Sequence, residues 1–580
     1  MNRKNSQLIG VMLLALLSIT YFEYFGKKKP SPSPQSKSIQ ATTKKEDFFT
    51  KISNLTLPDT APVNEHTSSL TLENEEVCIC LDPKGGMVNK VILKGHYSHD
   101  KQPLKLVEAN YSNMAWLLST PQGPINTKDL HFTAHKKENQ IELTHILDAK
   151  KAQYIRYIYT LPKKGFELDC KVEVSGLDVS KQNGLSFLWH YQAKNLEKDF
   201  NLNTRYAYLQ YHLKNNKTQY ATNAKATQIN QIEWLAMHQR FFTAGIILTP
   251  GNYFTNGEVA NRVSQSAQNH TIMQTATKLA LPLKEVGQKA EAKLKFYFGP
   301  NDKKILAQVS PSFKKVHYLG WPVIKSINQY IISPLADSFH KHVNHYVWVL
   351  LLLALIFKLL QFYFAYKDYV ITLKKKALQP AVKKLKAQYK DKQQASMAEA
   401  GFYREMGLPA LPDMFKLFTG LLEAPIFMAM LHFIPNQIAL RQVSFLWVKD
   451  LSGVDDFIQL PFRIPLLGTH ISLLAIIMCA SFMLRNNSQQ AQQPTELNAK
   501  VLKYLFPVFI FVAFNGYPAG FFIYRIFVNA SNLAISLLFK QVIDEKFHLA
   551  QIKQREPHID PNKKDLPRAL ARLDKNKKKT

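Results

Sequence analysis

Five hundred and eighty residues correspond to about four average domains, and 74 Lys and Arg against 43 Asp and Glu leave a formal charge of +31. The mean hydropathy of −0.18 resembles that of a soluble protein, yet the apolar residues are segregated. Residues 27–310 are polar and strand-like, whereas 347–540 hold several apolar runs of about 20 residues, long enough to cross a hydrocarbon core of ~30 Å. These features exclude a purely cytosolic enzyme, a disulfide miniprotein and a fully disordered chain. DNA is not expected as a partner, because anionic lipid and positive-inside topology also consume Lys and Arg.

Residues 1–26 place Arg3 and Lys4 before an apolar stretch, Leu8 to Phe22, that ends in bulky residues rather than a small-residue cleavage site. An uncleaved signal anchor with a cytoplasmic N-terminus is expected. Residues 27–64, rich in Lys, Ser, Pro and Thr, cannot bury enough apolar surface to offset chain entropy and read as a flexible linker.

From 65 to 310 the pattern is β. In FELDCKVEVSG, Phe166, Leu168, Cys170, Val172 and Val174 alternate with Glu167, Asp169, Lys171 and Glu173, the signature of a half-buried antiparallel strand. VCICLDPKGGMVNKVIL reads as two strands joined through a Gly-Gly turn. One large all-β sandwich is expected. Cys78 and Cys80 share a strand face and should not bridge each other; either has the option of pairing with Cys170, and Cys479 lies in an apolar run.

Residues 311–346 carry Leu319, Trp321, Val323, Ile324, Ile327, Tyr330, Ile331 and Leu335 at nearly helical spacing, between Lys314, Lys315, Lys325, Asn328 and Gln329. Such an amphipathic helix, ahead of a membrane run, fits the interface plane. Five apolar runs follow, at 347–366, 416–434, 466–484, 501–517 and 519–539, forming a membrane core over 347–540. Alternating crossings from a cytoplasmic N-terminus leave 367–415, 485–500 and the tail (541–580) in the cytoplasm. Charge agrees: from Lys540 onward there are twelve Lys and Arg against six acids, whereas the outer turn Tyr517-Pro518-Ala519-Gly520 has no charge. The hairpin 367–415 shows two apolar stripes, Val382, Leu385 and Tyr389, then Met397, Phe402 and Met406, with Pro380 expected to kink or start a helix.

The sequence carries no phosphate-binding loop, zincin, nucleophile-elbow or Cys/His metal motif, so neither an enzyme nor a cofactor is expected. The informative residues are polar groups inside apolar runs, where a charge costs about 2.5–3.5 kcal/mol on insertion scales. Lys358 lies eight residues, about 12 Å, from Tyr366, too deep to snorkel easily. Glu423 lies seven residues, about 10 Å, in from Lys416 on an oppositely running segment, at matching depth. A direct or water-bridged Lys358–Glu423 contact is expected. With Gln361, Asn515, Asn529 and Asn532 these residues would line a hydrophilic, cationic recess in the inner leaflet. Arg525, near the outer end of its run, is expected to snorkel outward. A recess of this kind suits reception of hydrophilic peptide segments, and the basic hairpin and tail suit ribosomal RNA or anionic lipid. A transporter or channel needs polar lining through both leaflets. A membrane-anchored glycan-binding or glycan-processing protein would need a carboxylate pair in the β region.

Several strings extend this reading. LEAPIFMAM, ALRQVSFLWVKDLS, YPAGFFIY and LKKKALQPAVKKL, in this order, are similar to core motifs of the YidC family of bacterial inner-membrane insertases, and KGGMVNKVIL, IEWLAMHQRFF and FYFGP resemble the periplasmic domain of its Gram-negative members. The resemblance implies an inner-membrane, multi-pass protein with both termini cytoplasmic and a groove open to the cytoplasm and lipid. It also implies a periplasmic super-sandwich like the sugar mutarotase fold, nascent membrane proteins as substrates, and cooperation with the Sec translocon and ribosomes. It places Lys358 where the family has the groove arginine and Glu423 at an uncharged polar position. Leu408-Pro409-Ala410-Leu411-Pro412-Asp413 departs from the family's hairpin pattern.

Overall fold

The computed structural model describes residues 47–57, 70–177, 184–221, 224–249, 251–266, 270–286, 289–389, 391–408, 414–464, 467–490 and 507–543, with 546, 548 and 550. The expected anchor (1–26), most of the expected linker and the tail beyond 550 lie outside these residues. Two compact units meet in sequence at Tyr318 and Leu319.

The first unit is all-β apart from short helices. Strands β1 (Leu70–Glu73), β2 (Val77–Leu81), β3 (Val88–Tyr97) and β4 (Pro103–Val107) form a four-stranded sheet, and a second sheet has 15 strands. The alternation at 166–174 becomes β5 (Glu167–Ser175), with Phe166, Leu168, Cys170, Val172 and Val174 all buried. On its other face Lys171 bridges Glu173 (2.7 Å) and Glu291 (2.6 Å), so the polar half of the pattern becomes a cross-strand charge ladder. The Gly-Gly turn lies between β2 and β3. Gly86 has φ +70°, and a Cβ there would stand 2.7 Å from the Tyr157 ring, so only glycine admits this approach. Trp116, Trp189, Trp234 and Phe296 fill the core. All four cysteines are free thiols; Cys170 points into this core, where burial pushes its thiol pKa up.

Part of the stretch read as a linker is ordered. Helix α1 (Phe48–Thr56) seats Phe49 and Ile52 on Leu188, Ala260 and Ala276 of the sheet's outer face, and Asp47 pairs with Arg262 at 3.0 Å. Phe48 and Leu55 pack beside them, and the Asn126 amide donates to the Leu55 carbonyl (2.8 Å). The expected interfacial helix is also revised: it does not begin at 311. Phe313 and Val316 form a 3-10 turn buried in the β core, and the helical run starts at Pro322, after Gly320 at φ +103°. Helices α2 (Pro322–Ile327) and α3 (Ser333–His340) are joined by a π-turn, Asn328–Ile332. Pro334 has no N–H for the α-ladder there. Asn328, expected on the polar face, is fully buried and donates to the carbonyls of Leu319 (2.8 Å) and Ala429 (3.0 Å).

In the second unit, α4 (Tyr346–Ala387) includes Pro380 in its interior, so no helix starts there. Its C-terminal half packs on α5 (Lys392–Glu405) through Leu378, Val382, Phe402, Tyr403, Met406 and Leu408. Two positions of the expected stripes differ: Met397 is exposed and Tyr389 is not part of this cluster, whereas Leu378 and Tyr403 complete the contact. Helices α6 (Met414–Phe433), α7 (Leu473–Gln490), a segment at 507–514 and α8 (Ala519–Val542) follow. Among the described residues, α4 and α8 meet length and hydropathy criteria for crossing a membrane. The third apolar run enters its helix late: residues 468–471 are a strand, and Ser472 caps α7 through a hydrogen bond from the Ala475 N–H to its hydroxyl (3.0 Å).

One buried node of the β unit is pH-sensitive. His238 donates Nδ1–H to the Tyr206 carbonyl (3.0 Å), accepts at Nε2 from the Asn301 amide (3.1 Å) and stacks on Tyr208. Burial holds its pKa down at about 3. The unfolded chain binds this proton first, so the His238 contribution to stability is complete above pH ~6.5 and is lost as pH falls towards 3. Imidazole 15N shifts should report neutral His238 at pH 5, and a midpoint near 6.5 would contradict this network.

Candidate substrate groove

Four helices of the second unit bring charge to one level. Lys358 is twelve residues from the start of α4 and Arg485 twelve from the start of α7, each about 18 Å along the axis. Glu423 is ten residues, about 15 Å, from the end of the oppositely running α6. Arg525 starts higher, six residues or about 9 Å into α8, and its long side chain reaches down.

These groups converge on one carboxylate. Glu423 Oε2 lies 3.9 Å from Lys358 Nζ, and Glu423 Oε1 lies 3.7 Å from Arg485 and 3.6 Å from Arg525. Three cations against one acid leave the cluster at formal +2. The cations' side chains are only 6, 15 and 13% exposed, whereas Glu423 retains 27%. Contacts from the same helix faces hold the geometry. Lys358 donates to Gln361 Oε1 at 2.8 Å, one turn along α4. The Arg525 guanidinium lies over the Phe427 ring, 4.7 Å from its centroid, and Phe427 is one turn from Glu423 on α6. Asn529 Oδ1 accepts from Arg485 (3.4 Å), and its amide donates to the Ser481 hydroxyl (3.0 Å). Thus the Ser481/Arg485 face of α7 is laced to the Arg525/Asn529 face of α8.

Of the residues singled out in sequence, Lys358, Glu423, Gln361 and Asn529 come together as expected. Asn532 is half-buried one turn on, its carbonyl accepting the Ser536 hydroxyl (2.9 Å), and does not join the ions. Asn515 belongs elsewhere. Its amide donates to the carbonyls of Leu467 (3.0 Å) and His470 (2.7 Å), and its Oδ1 accepts the Ser472 N–H (3.0 Å). It therefore fastens the loop before α7, a job its position at the end of an apolar run did not disclose. Arg525 does not snorkel outward: turning inward gives it both a counter-ion and an aromatic face, which outweigh the shorter route to water.

Arg485 escaped the sequence reading because, followed by Asn486 and Asn487, it looked like an ordinary cytoplasmic flanking charge. Its spacing of four from Ser481 and its equal depth with Lys358 were the available signals. Among the described residues no group of three or more His, Cys, Asp or Glu is arranged to hold a metal ion. The cluster also lacks a nucleophile–base pair; its chemistry is electrostatic.

Comparison with known proteins agrees with this architecture. Residues 69–333 match the family model described as the YidC periplasmic domain, and 338–546 match the 60Kd inner membrane protein model. The membrane protein insertase YidC of Amoebophilus asiaticus is 32% identical over 572 residues, covering 95% of each chain. That of Bacteroides fragilis is 27% identical over 524 residues, covering 87% of this chain and 83% of its own. A solved YidC insertase with its first transmembrane domain resolved aligns over 82% of this chain and 93% of its own, at 15% identity and a TM-score of 0.31. The two family models divide the chain much as its β-rich and helical units do, and full-length similarity joins them: the chain belongs to the YidC family of membrane protein insertases.

Proposed function

We propose that this protein receives hydrophobic spans of nascent membrane proteins beside the Lys358–Glu423–Arg485–Arg525 cluster and releases them into the inner membrane. The observation that carries this reading is the cluster itself: a formal +2 whose Lys358, Glu423 and Arg485 lie about 15–18 Å along their helices, with the acid its most exposed member. An isolated charge at that depth costs about 2.5–3.5 kcal/mol, so a site that keeps an excess of cations there pays a standing cost that function must justify. A hydrophilic or acidic segment entering from the cytoplasm meets donors already in place and exchanges with Glu423 as counter-ion. The apolar span next to it meanwhile partitions into lipid.

The surrounding parts fit this reading. Six crossings, the N-terminal anchor plus five core spans, leave both termini cytoplasmic and put the basic α4–α5 hairpin and the basic tail on the side where ribosomes and anionic lipid are met. The run from Trp321 to His340 keeps Trp321, Val323, Tyr330 and Ile331 exposed while burying Ile324, Ile332 and Ala336, the distribution of a helix lying in the interface. Cooperation with the Sec translocon would supply clients whose long translocated domains this site does not itself conduct.

In a depletion-rescue assay, Lys358→Arg should support insertion near the parental level. Lys358→Ala should lower insertion of clients with charged translocated segments by about tenfold, equivalent to ~1.4 kcal/mol, and spare uncharged ones. Equal activity of all three would remove the charge from the mechanism. Thermal melting of Lys358→Met, Glu423→Gln and the double variant should return a coupling of about 1–3 kcal/mol, since removing Glu423 alone strands three cations. Deleting residues 550–580 should weaken ribosome co-sedimentation at low salt and leave it unchanged at high salt.

A further inference from the structure

The loop joining α6 to α7 has two kinds of apolar residue. Leu440, Val448 and Leu451 are buried in the helical core. Leu446, Trp447, Phe457, Ile458 and Phe462 stand out from it, 68, 39, 55, 46 and 62% exposed. The loop is not free to fold these inward, because it is bolted to three helix ends. The Asp455 carboxylate accepts the Leu474 N–H (2.7 Å) and the Ser472 hydroxyl (2.9 Å) at the start of α7. The Ala519 and Gly520 N–H groups at the start of α8 donate to the carbonyls of Gly453 (2.8 Å) and Leu451 (2.9 Å). Its first end is the end of α6.

Local geometry holds the apolar groups outward at a cost. Phe445 and Val448 exchange both backbone hydrogen bonds (2.9 and 3.0 Å), closing a two-residue turn with Leu446 and Trp447 at its tip. Leu446 sits at φ +54°, where Gly or Asn is favoured and a leucine is strained. Trp447 is then fixed by an Nε1–H bond to Asp455 (3.1 Å) and by edge contact with Phe457. From Phe457 the chain enters a two-stranded hairpin, β6 (Ile458–Ile464) and β7 (Gly468–Ile471), a structure only marginally stable in water without a surface to cover it. Lys449 and Arg463 are exposed beside these groups.

We propose that this loop is a lipid anchor: Leu446, Trp447, Phe457, Ile458 and Phe462 lie in the headgroup–acyl boundary of the bilayer leaflet at which α6 ends and α7 and α8 begin. Continuity with the membrane helices selects lipid as the occupant. Residues bolted to the ends of three spans sit at headgroup height, where Trp and Phe partition favourably and Lys449 and Arg463 meet phosphate. The unpaired edges of the hairpin limit its depth, since bare N–H and C=O groups do not enter the hydrocarbon. The anchor fixes the height of α7 and α8, and with it the level of Arg485 and Arg525. The inference rests on α6, α7 and α8 being membrane helices.

The test uses the full-length protein in phosphatidylethanolamine/phosphatidylglycerol vesicles. A bimane is attached at Leu446→Cys, Phe462→Cys, Lys449→Cys or, mid-helix on α4, Leu360→Cys, and the labelled parent gives the background. Labels at 446 and 462 should be quenched at least twofold more by a shallow nitroxide lipid, and at least twofold less by aqueous iodide, than the label at 449. Equal iodide quenching at 446, 462 and 449 would overturn the anchor, as would labels at 446 and 462 shielded from both quenchers, the signature of a protein surface or a second copy over the loop. Lipid quenching at 360 with none at 446 or 462 defeats this inference alone; no lipid quenching at 360 defeats the membrane reading beneath it.

Discussion

One carboxylate sets the terms for the helical unit. Glu423 is the shared counter-ion of Lys358, Arg485 and Arg525, and without it three cations would repel one another in surroundings that screen charge poorly. Because each cation comes from a different helix, the same interaction that makes the site tolerable also ties α4, α7 and α8 to α6. The site and the packing are therefore one object. Its imbalance distinguishes it from a neutral pair: three cations share one partly exposed acid, at a formal +2.

Polar groups do different work at the two levels of this unit. Near the helix starts, Asp455, Asn515, Ser472 and His470 are buried and each bonds to backbone, Asp455 also holding the Ser472 hydroxyl and the Trp447 indole, so that α7 is capped and the loop that precedes it is fastened. Deeper, Gln361 and Asn529 bond to side chains and steer the ions, Ser481 accepting the Asn529 amide while donating to the Met478 carbonyl. The first set makes a rigid rim; the second makes an electrostatic site. The β unit uses a third arrangement, an aromatic core with charge ladders on the opposite strand face, where buried Glu173 is held by Lys171 and Arg156.

The legible parts were those with a short repeat or a cost attached. Alternation at 166–174 revealed a strand because its side chains change face at every residue. Depth arithmetic paired Lys358 with Glu423 because a helix converts residue count directly into height. Where a reading failed, the missing quantity was rotational or non-local. Arg525 was read by its distance from the end of its run, but its direction was decided by Phe427 and Glu423 on another helix. Asn328 looked like part of a polar face until the π-turn rotated it onto the Ala429 carbonyl. Residues 466–471 counted towards a span by hydropathy, while Gly468 at φ +92° and the cap at Ser472 go with a strand at Gly468–Ile471.

By itself, then, the sequence determined the division into a β-rich and a membrane-helical part, the family, and the presence of costly charge at matched depth. All of these depend on composition, periodicity and rise per residue, which are properties of the chain taken locally. Only the tertiary structure decided which cations share Glu423, that Arg485 is among them, and that Asn515 fastens the loop before α7 instead of joining the ions. Those outcomes turn on which faces of separate helices are rotated towards each other, and packing sets that rotation between segments up to about a hundred residues apart.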